Sequence, residues 1–234
     1  MSSRFEELDW RETSLGAISL RRRREPTLDV DVFEVKLDDD FLMSSLFTVA
    51  EVELARLALA TVPGDRLDVL VGGLGLGYTA VAVLDDPRVA SLQVVEALPQ
   101  VVGWHERGLL PRSARLTSDS RCRLATEDFF ATVGSEAALA DEDAHHAVLV
   151  DIDHSPRHLL HPDHAPFYTV EGLTRMRSRV RAGGALAVWS DDPPDEDFLD
   201  VLRTVFVGAE AHVVRFDNFL TGGTSANTVY VANA

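Results

Sequence analysis

Apolar and polar positions follow two rhythms along the chain. Through the first 45 residues, LGAISLRRRREP and LDVDVFEVKLDDDFLMSS alternate apolar with charged residues, the period of strands with one wet face. Leu28, Val30 and Val32, then Phe33 to Leu37 out of phase, predict a strand with an irregularity. These segments are expected to form a small antiparallel sheet or hairpin. Two or three strands are marginal alone, so the sheet should lie as a flap against the rest of the chain, where it is also a candidate subunit contact. After Leu46 the rhythm changes. LFTVAEVELARLALATV is rich in helix formers and Pro63-Gly64 stops it. Within it Thr48 and Glu51 stand at capping-box spacing.

From Arg66 onward the chain alternates strand with helix. RLDVLVGG is a strand followed by a helix from about Gly77, SLQVVEA a strand followed by LPQVVGWHERG, and RLATEDFFATVGSEAALA a short strand and then a helix. HAVLVDID is a strand. After a long loop, TVEGLTRMRSRVRAGG reads as a helix ending at its paired glycines. ALAVWSDD is a strand, and DEDFLDVLRTVF a helix entered through Pro193-Pro194. AEAHVVRF and NTVYVAN close the chain without a helix between them, which predicts an antiparallel hairpin at one edge. Near-continuous apolar strands alternating with helices mean a mostly parallel sheet covered on both faces. The division expected is a β-rich extension over residues 1–45 and an α/β domain over 46–234.

Composition narrows the class. The 234 residues are 46% hydrophobic, enough for a substantial core, and carry a formal net charge of −16. Nonspecific nucleic-acid or anionic-membrane binding needs a basic surface, so neither partner is expected. Arg21 to Arg24 are read as a paired or solvated face. Cys122 is the single cysteine, placed by RCRLAT on a half-buried strand. No run approaches the roughly 18 apolar residues of a membrane span. The polar, acidic start MSSRFEELDWRE is unlike a secretory signal. The expected location is cytoplasmic.

The stretch VLVGGLGLGYTAVAVL, Val69 to Leu84, puts four glycines within six positions where a strand turns into a helix. Such a cluster marks a tight turn or something pressed against the backbone; close strand–helix packing alone would also demand it. In open α/β sheets ligands sit at the carboxyl ends of the strands. Tyr78 stands where a dinucleotide fingerprint would place a third spaced glycine, and the Gly-Lys-Ser/Thr ending of a phosphate loop is absent. The next strand ends at Glu96, 21 residues after Gly75. A carboxylate there offers two acceptor oxygens to the hydroxyls of a ribose. TEDFF places Asp128 at the third strand end, within reach of an adenine amino group, and VDIDHSP places Asp151 and Asp153 at the fourth. Four successive strands therefore deliver glycine, Glu, Asp and Asp to one rim. His154, His158, His161 and His164 lie in a loop without a Cys or clear Glu partner and read as polar surface, with no metal expected. A loop this long after a strand of the rim reads as a lid.

At these residues the chain resembles the S-adenosylmethionine-dependent transferase superfamily, and within it the spermidine synthase (polyamine aminopropyltransferase) family. The matching pieces are VLVGGLGLG, QVVEALPQVV, TEDFF, AVLVDIDHSP with FYTVEGL after it, and RAGGALAVWS. The resemblance covers most of residues 15–232 and is strongest from Leu67 to Ser190. It implies a Rossmann-like, doubly wound, mostly parallel seven-stranded sheet of the class I methyltransferase type with a small N-terminal β-rich extension. It implies S-adenosylmethionine or its decarboxylated form as cofactor, with Gly73, Gly75 and Gly77 passing the methionine-derived tail, Glu96 holding the ribose and Asp128 the adenine. Asp151 matches the first acid of the family's Asp-x-x-Asp-Pro, whereas Ser155 stands before the proline in place of the second. VAEVELARL lacks the family's Tyr-His pair.

The expected activity is aminopropyl transfer to a small-molecule amine, in a protein that the flap would allow to be a homodimer. Asp151 and Asp153 are the expected catalytic acids, accepting the amine's proton and anchoring a cation. Asp191 and Asp192 are expected to extend the cationic pocket. The alternatives are methyl transfer on the same fold and a non-catalytic nucleoside-binding or interaction protein.

Overall fold

The rhythm of the first 45 residues becomes an antiparallel meander. The computed structural model describes residues 5–13, 16–134 and 144–234. Strands β1 (Phe5–Thr13), β2 (Gly16–Glu25), β3 (Val30–Leu37) and β4 (Asp40–Ser44) pair in chain order. β1 has no counterpart in the apolar pattern. Most of its side chains are exposed, and charge accompanies its pairing with β2: Glu6 meets Arg22 and Glu7 meets Arg21. Arg23 pairs with Glu25 and Glu34, and Arg24 with Asp29 and Asp31, so the arginine run is a paired face. Leu28 is not a strand residue. It lies exposed in the turn before β3, beside Asp29 at φ 54°. β3 carries a register shift against β4 between Val35 and Lys36, beyond the change of phase at Phe33, where its register against β2 runs unbroken.

The remainder is a seven-stranded sheet with helices on both faces. Its elements run α1 (Val49–Thr61), β5 (Leu67–Gly72), α2 (Tyr78–Asp85), β6 (Val89–Glu96), α3 (Pro99–Glu106), α4 (Ser113–Ser118), β7 (Cys122–Thr126), α5 (Phe129–Gly134), β8 (His145–Val150), α6 (Val170–Arg177), β9 (Val180–Ser190), α7 (Glu196–Val205), β10 (Gly208–Asn218) and β11 (Gly223–Asn233). The strand order is β10-β11-β9-β8-β5-β6-β7. Pairs among β5 to β9 are parallel, β11 is antiparallel to β9, and β10 closes the edge antiparallel to β11. The doubly wound sheet and its edge hairpin are those the sequence predicts. β5 lies between β6 and β8, so the order reverses beside it and the carboxyl ends of β5, β6 and β8 converge on one crevice.

Alternate residues of each central strand feed two cores. Val69, Val71, Ala147, Leu149, Ala185 and Ala187 pack under α1 to α4. Leu70, Val148, Val150, Leu186 and Val188 pack under α5 to α7. The first core also takes in Ile18, Leu20 and Val35 of the N-terminal meander, each worth about 1.5–3 kcal/mol on full burial. Asp9 of β1 accepts from the Trp104 indole N–H at 2.7 Å and from Arg107 at 2.6 Å. The small sheet is thereby welded to α3.

One element boundary runs against the sequence reading. The helix expected to run to the paired glycines stops at Arg177, and Gly183-Gly184 lie inside β9. Gly183 takes φ 76°, and a Cβ on Gly184 would lie 2.6 Å from the carbonyl oxygen of His146. The pair is an irregularity where β9 passes close to β8, whose register shifts between His145 and Ala147. The helix expected through Ala140 is described as far as Gly134, and the rest of it lies outside the described residues. Among the described residues no helix is long and apolar enough to cross a membrane.

Candidate functional site

The glycine turn answers to packing and to ligand space at once. Gly73, Gly75 and Gly77 adopt φ of 93°, 45° and 86°, the left-handed region where a side chain is strained. A Cβ on Gly73 would overlap the carbonyl oxygen of Asp151. On Gly75 it would reach the Met43 sulfur at 2.6 Å, and on Gly77 Leu116 at 2.7 Å. The turn is therefore wedged between β8, β4 and α4. Two groups fix it from the side. Leu74 N–H donates to Glu96 at 3.0 Å, and His105 Nε2 meets the Gly75 carbonyl at 2.9 Å. Burial lowers the His105 pKa, so the neutral ring donates from Nε2. Neither this support nor His105 itself was read from the sequence; the one signal was a histidine on the apolar face of LPQVVGWHERG.

Two cavities open on either side of this turn. The first, about 570 Å³, is bounded by Gly73 and Gly75, by Glu96 and Leu98 after β6, by Asp128 and Phe130 after β7, and by His161 and His164 of the loop after β8. Glu96 Oε1 accepts from Leu98 N–H at 2.9 Å and Oε2 from Leu74 N–H. The N–H groups of Gly75 and Ala97 also face this carboxyl, which borders the cavity at the end of β6, where the hydroxyls of a ribose would meet it. Burial raises the Glu96 pKa, opposed by the surrounding backbone N–H groups. Asp128 caps α5, its Oδ1 accepting from Ala131 N–H at 3.1 Å. Oδ2 has no partner among the described residues. Apolar walls from Val95, Leu98, Val101, Phe129 and Phe130 suit a planar base. The residues present thus fit an adenosine: an apolar slot with one carboxylate for the ribose and one for the base.

The second cavity, about 450 Å³, shares Leu42, Met43, Gly75, Asp151, Ile152 and Leu160 with the first. Its far walls are aromatic and acidic: Phe41, Phe47, Tyr78, Trp189 and Phe216 surround Glu51, Asp151 and Asp191. No Lys or Arg is among its described lining residues. Asp151 accepts the Thr79 hydroxyl at 2.6 Å, and Asp191 the Asn227 amide at 2.6 Å. Burial, then the charges of Asp151 and Asp191, raise Glu51 to about 8, while burial raises Asp151 to about 6 against the Thr79 hydrogen bond. The two acids give up their protons as a pair.

Asp153 is not part of this pocket, contrary to its expected catalytic place. It is buried and turned into its own loop, where Oδ1 accepts from Leu160 N–H and His164 Nδ1, both at 2.8 Å, and Oδ2 from the Tyr168 hydroxyl at 2.9 Å. It knots residues 153–168, including the 3₁₀ turn Pro162–Tyr168, into one folded unit over the first cavity. Ser155, where the family has its second acid, is buried and accepts from the N–H groups of Arg157 and His158. Asp192 is drawn away to His158 at 2.7 Å. Arg157 pairs with Asp195 and Asp197. Of the loop histidines, His158 pairs with Asp192, and His164 stacks on Phe130 at 4.0 Å between centroids and pairs with Asp153.

Glu51 corrects a second expectation. Thr48 is the N-cap of α1, but its side chain makes no capping bond, so no capping box forms. The Glu51 carboxyl projects into the second cavity instead.

No protein-family model matches the sequence, and none of the curated proteins compared with it matches. Solved structures do match. A spermidine synthase from Thermotoga maritima superposes with a TM-score of 0.73 at 15% identity, over 97% of this chain and 72% of that one. A spermidine synthase in complex with the transition state analogue AdoDATO gives 0.73 at 15% identity, over 97% and 74%. Human methyltransferase-like protein 13 in complex with SAH gives 0.52 at 18% identity, over 79% and 77%. At these identities the likeness is one of fold, a class I methyltransferase-like sheet with the N-terminal strands included in the spermidine synthase superpositions.

Proposed function

We propose that the protein is a transferase that takes its alkyl group from decarboxylated S-adenosylmethionine and delivers it to a cationic amine. Glu96 and Asp128 would hold the ribose and the adenine, with the tail passing over Gly73, Gly75 and Gly77. The donor supplies a sulfonium whose attached carbons are electrophilic. The observation that carries the reading is the second cavity, in which Glu51, Asp151 and Asp191 share aromatic walls with no lining Lys or Arg. Carboxylates and aromatic faces are what an ammonium group needs on leaving water. A decarboxylated tail ends in such an ammonium, whereas the intact tail adds a carboxylate that these acids would repel. The neighbours bound to AdoDATO and SAH support an adenosyl ligand in the first cavity.

The test is to incubate the purified protein with each donor and a panel of di- and polyamines, reading products by mass spectrometry. An aminopropylated amine with methylthioadenosine is the expected result. A methylated amine with S-adenosylhomocysteine would replace the reading by methyl transfer. No product with either donor, from protein that still binds methylthioadenosine, leaves a nucleoside-binding protein without transfer activity.

A further inference from the structure

We propose that Glu51, on the first turn of α1, is the group that contacts the acceptor ammonium and takes its proton. This rests on the amine-transfer reading and extends it to a residue outside the strand-end acids. The argument starts from how the acids near the rim are occupied. Asp153 accepts three hydrogen bonds inside its loop, and Asp192 is held by His158. Asp151 is engaged by the Thr79 hydroxyl and Asp191 by the Asn227 amide. The Glu51 carboxyl lines the cavity and, among the described residues, is engaged only by its own backbone N–H. Of the three carboxylates lining the cavity it is the one that no side chain among the described residues holds.

Its surroundings suit it to the task. The titratable groups lining the same cavity are Asp151 after β8, His154 of the following loop, Asp191 after β9 and Tyr78 at the start of α2. Burial makes Glu51 hold a proton more tightly, and the charges of Asp151 and Asp191 facing it add to this. An entering ammonium reverses the balance by neutralising that field. In the step, one N–H bond of the ammonium breaks and one O–H bond forms on Glu51. The freed nitrogen lone pair bonds to the carbon next to the sulfonium, and the C–S pair leaves on sulfur. The products are a secondary ammonium and a neutral thioether. Charge is conserved, since an ammonium, a sulfonium and a carboxylate become an ammonium, a thioether and a carboxylic acid.

Two measurements on Glu51→Gln and Glu51→Asp decide the matter. The first is the pH profile of kcat/KM for the amine. Wild type should rise between about pH 6 and 9, and Glu51→Gln should be at least about 10²-fold slower with that limb lost. Methylthioadenosine affinity should stay within a few-fold, and Glu51→Asp should recover part of the rate. The second is calorimetry of spermidine binding to the methylthioadenosine-loaded protein at pH 7, in buffers of different ionisation heat. Wild type should release up to one proton per spermidine and Glu51→Gln none. Unchanged turnover, or proton release that persists in Glu51→Gln, overturns the assignment. So does loss of methylthioadenosine binding in both variants, which marks a packing residue. Wild-type protein that transfers to no amine overturns the transferase reading. Calorimetry then judges Glu51 alone, and spermidine binding without proton release counts against it.

Discussion

The two cavities share a floor and are built by different means. The first is framed by backbone, a turn in left-handed geometry and strand ends that bring Glu96 and Asp128 to the rim, with apolar side chains filling its walls. The second is made of side chains from β4, α1, β9, β10 and β11, elements far apart in sequence. A backbone site follows once the strand order is set. A side-chain site depends on which residues happen to fill each wall, and there the chain departs from the aminopropyltransferase pattern that its sequence resembles, with Ser155 turned aside and Asp153 engaged within its loop.

The sharpest break in this comparison is Gly73→Ala. It adds a Cβ at φ 93° against the Asp151 carbonyl, and left-handed strain and overpacking together should cost about 3 kcal/mol or more. Denaturant unfolding and methylthioadenosine calorimetry should both show the loss, and an alanine variant with wild-type stability and affinity would refute the backbone account. Next comes the pair of acids two residues apart. Asp151→Asn should lower turnover about 10²-fold with adenosine binding largely kept. Asp153→Asn should instead weaken the fold by about 1–3 kcal/mol, since an amide cannot accept from all three donors, and leave turnover of the folded protein within a few-fold. Were Asp153→Asn the slower enzyme at equal stability, the two acids would have to exchange places. The smallest effect is on pH. Glu51 and Asp151 bind protons more readily folded than unfolded, so their contribution is complete below the unfolded carboxylate range. It is lost as pH rises through about 6 and about 8. Stability of the ligand-free protein should fall across that window, by at most about 1.4 kcal/mol per pH unit for each titrating group. Glu51→Gln should flatten the upper half. Asp119, held low chiefly by Arg121, works in the opposite sense only in acid. Thermal melts from pH 5 to 9 that show no such slope would mean these acids are not coupled as described.

Much of the first half was legible. The apolar strands and the glycine turn gave the sheet and its switch point, because parallel strands buried on both faces read as unbroken apolar runs. β1 was not legible, because its pairing residues are charged. The paired glycines misled, because a glycine pair serves a strand irregularity as readily as a helix end. Glu51 was hidden for a similar reason: Thr48 and Glu51 have the spacing of a capping box, and spacing cannot say whether a carboxyl turns back to its helix or out into a cavity. Asp153 stood at the right address with its side chain turned the other way.

The acids of the second cavity also reach outward. On a chain of net charge −16, a mouth bearing Glu51, Asp151 and Asp191 without a lining cation projects an attractive potential over about a Debye length, about 10 Å at 0.1 M salt. A polycationic acceptor of the proposed kind would be steered toward this mouth at rates that added salt suppresses steeply. A neutral nucleoside such as methylthioadenosine arrives by unassisted diffusion and is indifferent to salt. Under the proposed function, added salt would slow the amine's arrival and leave that of the nucleoside unchanged.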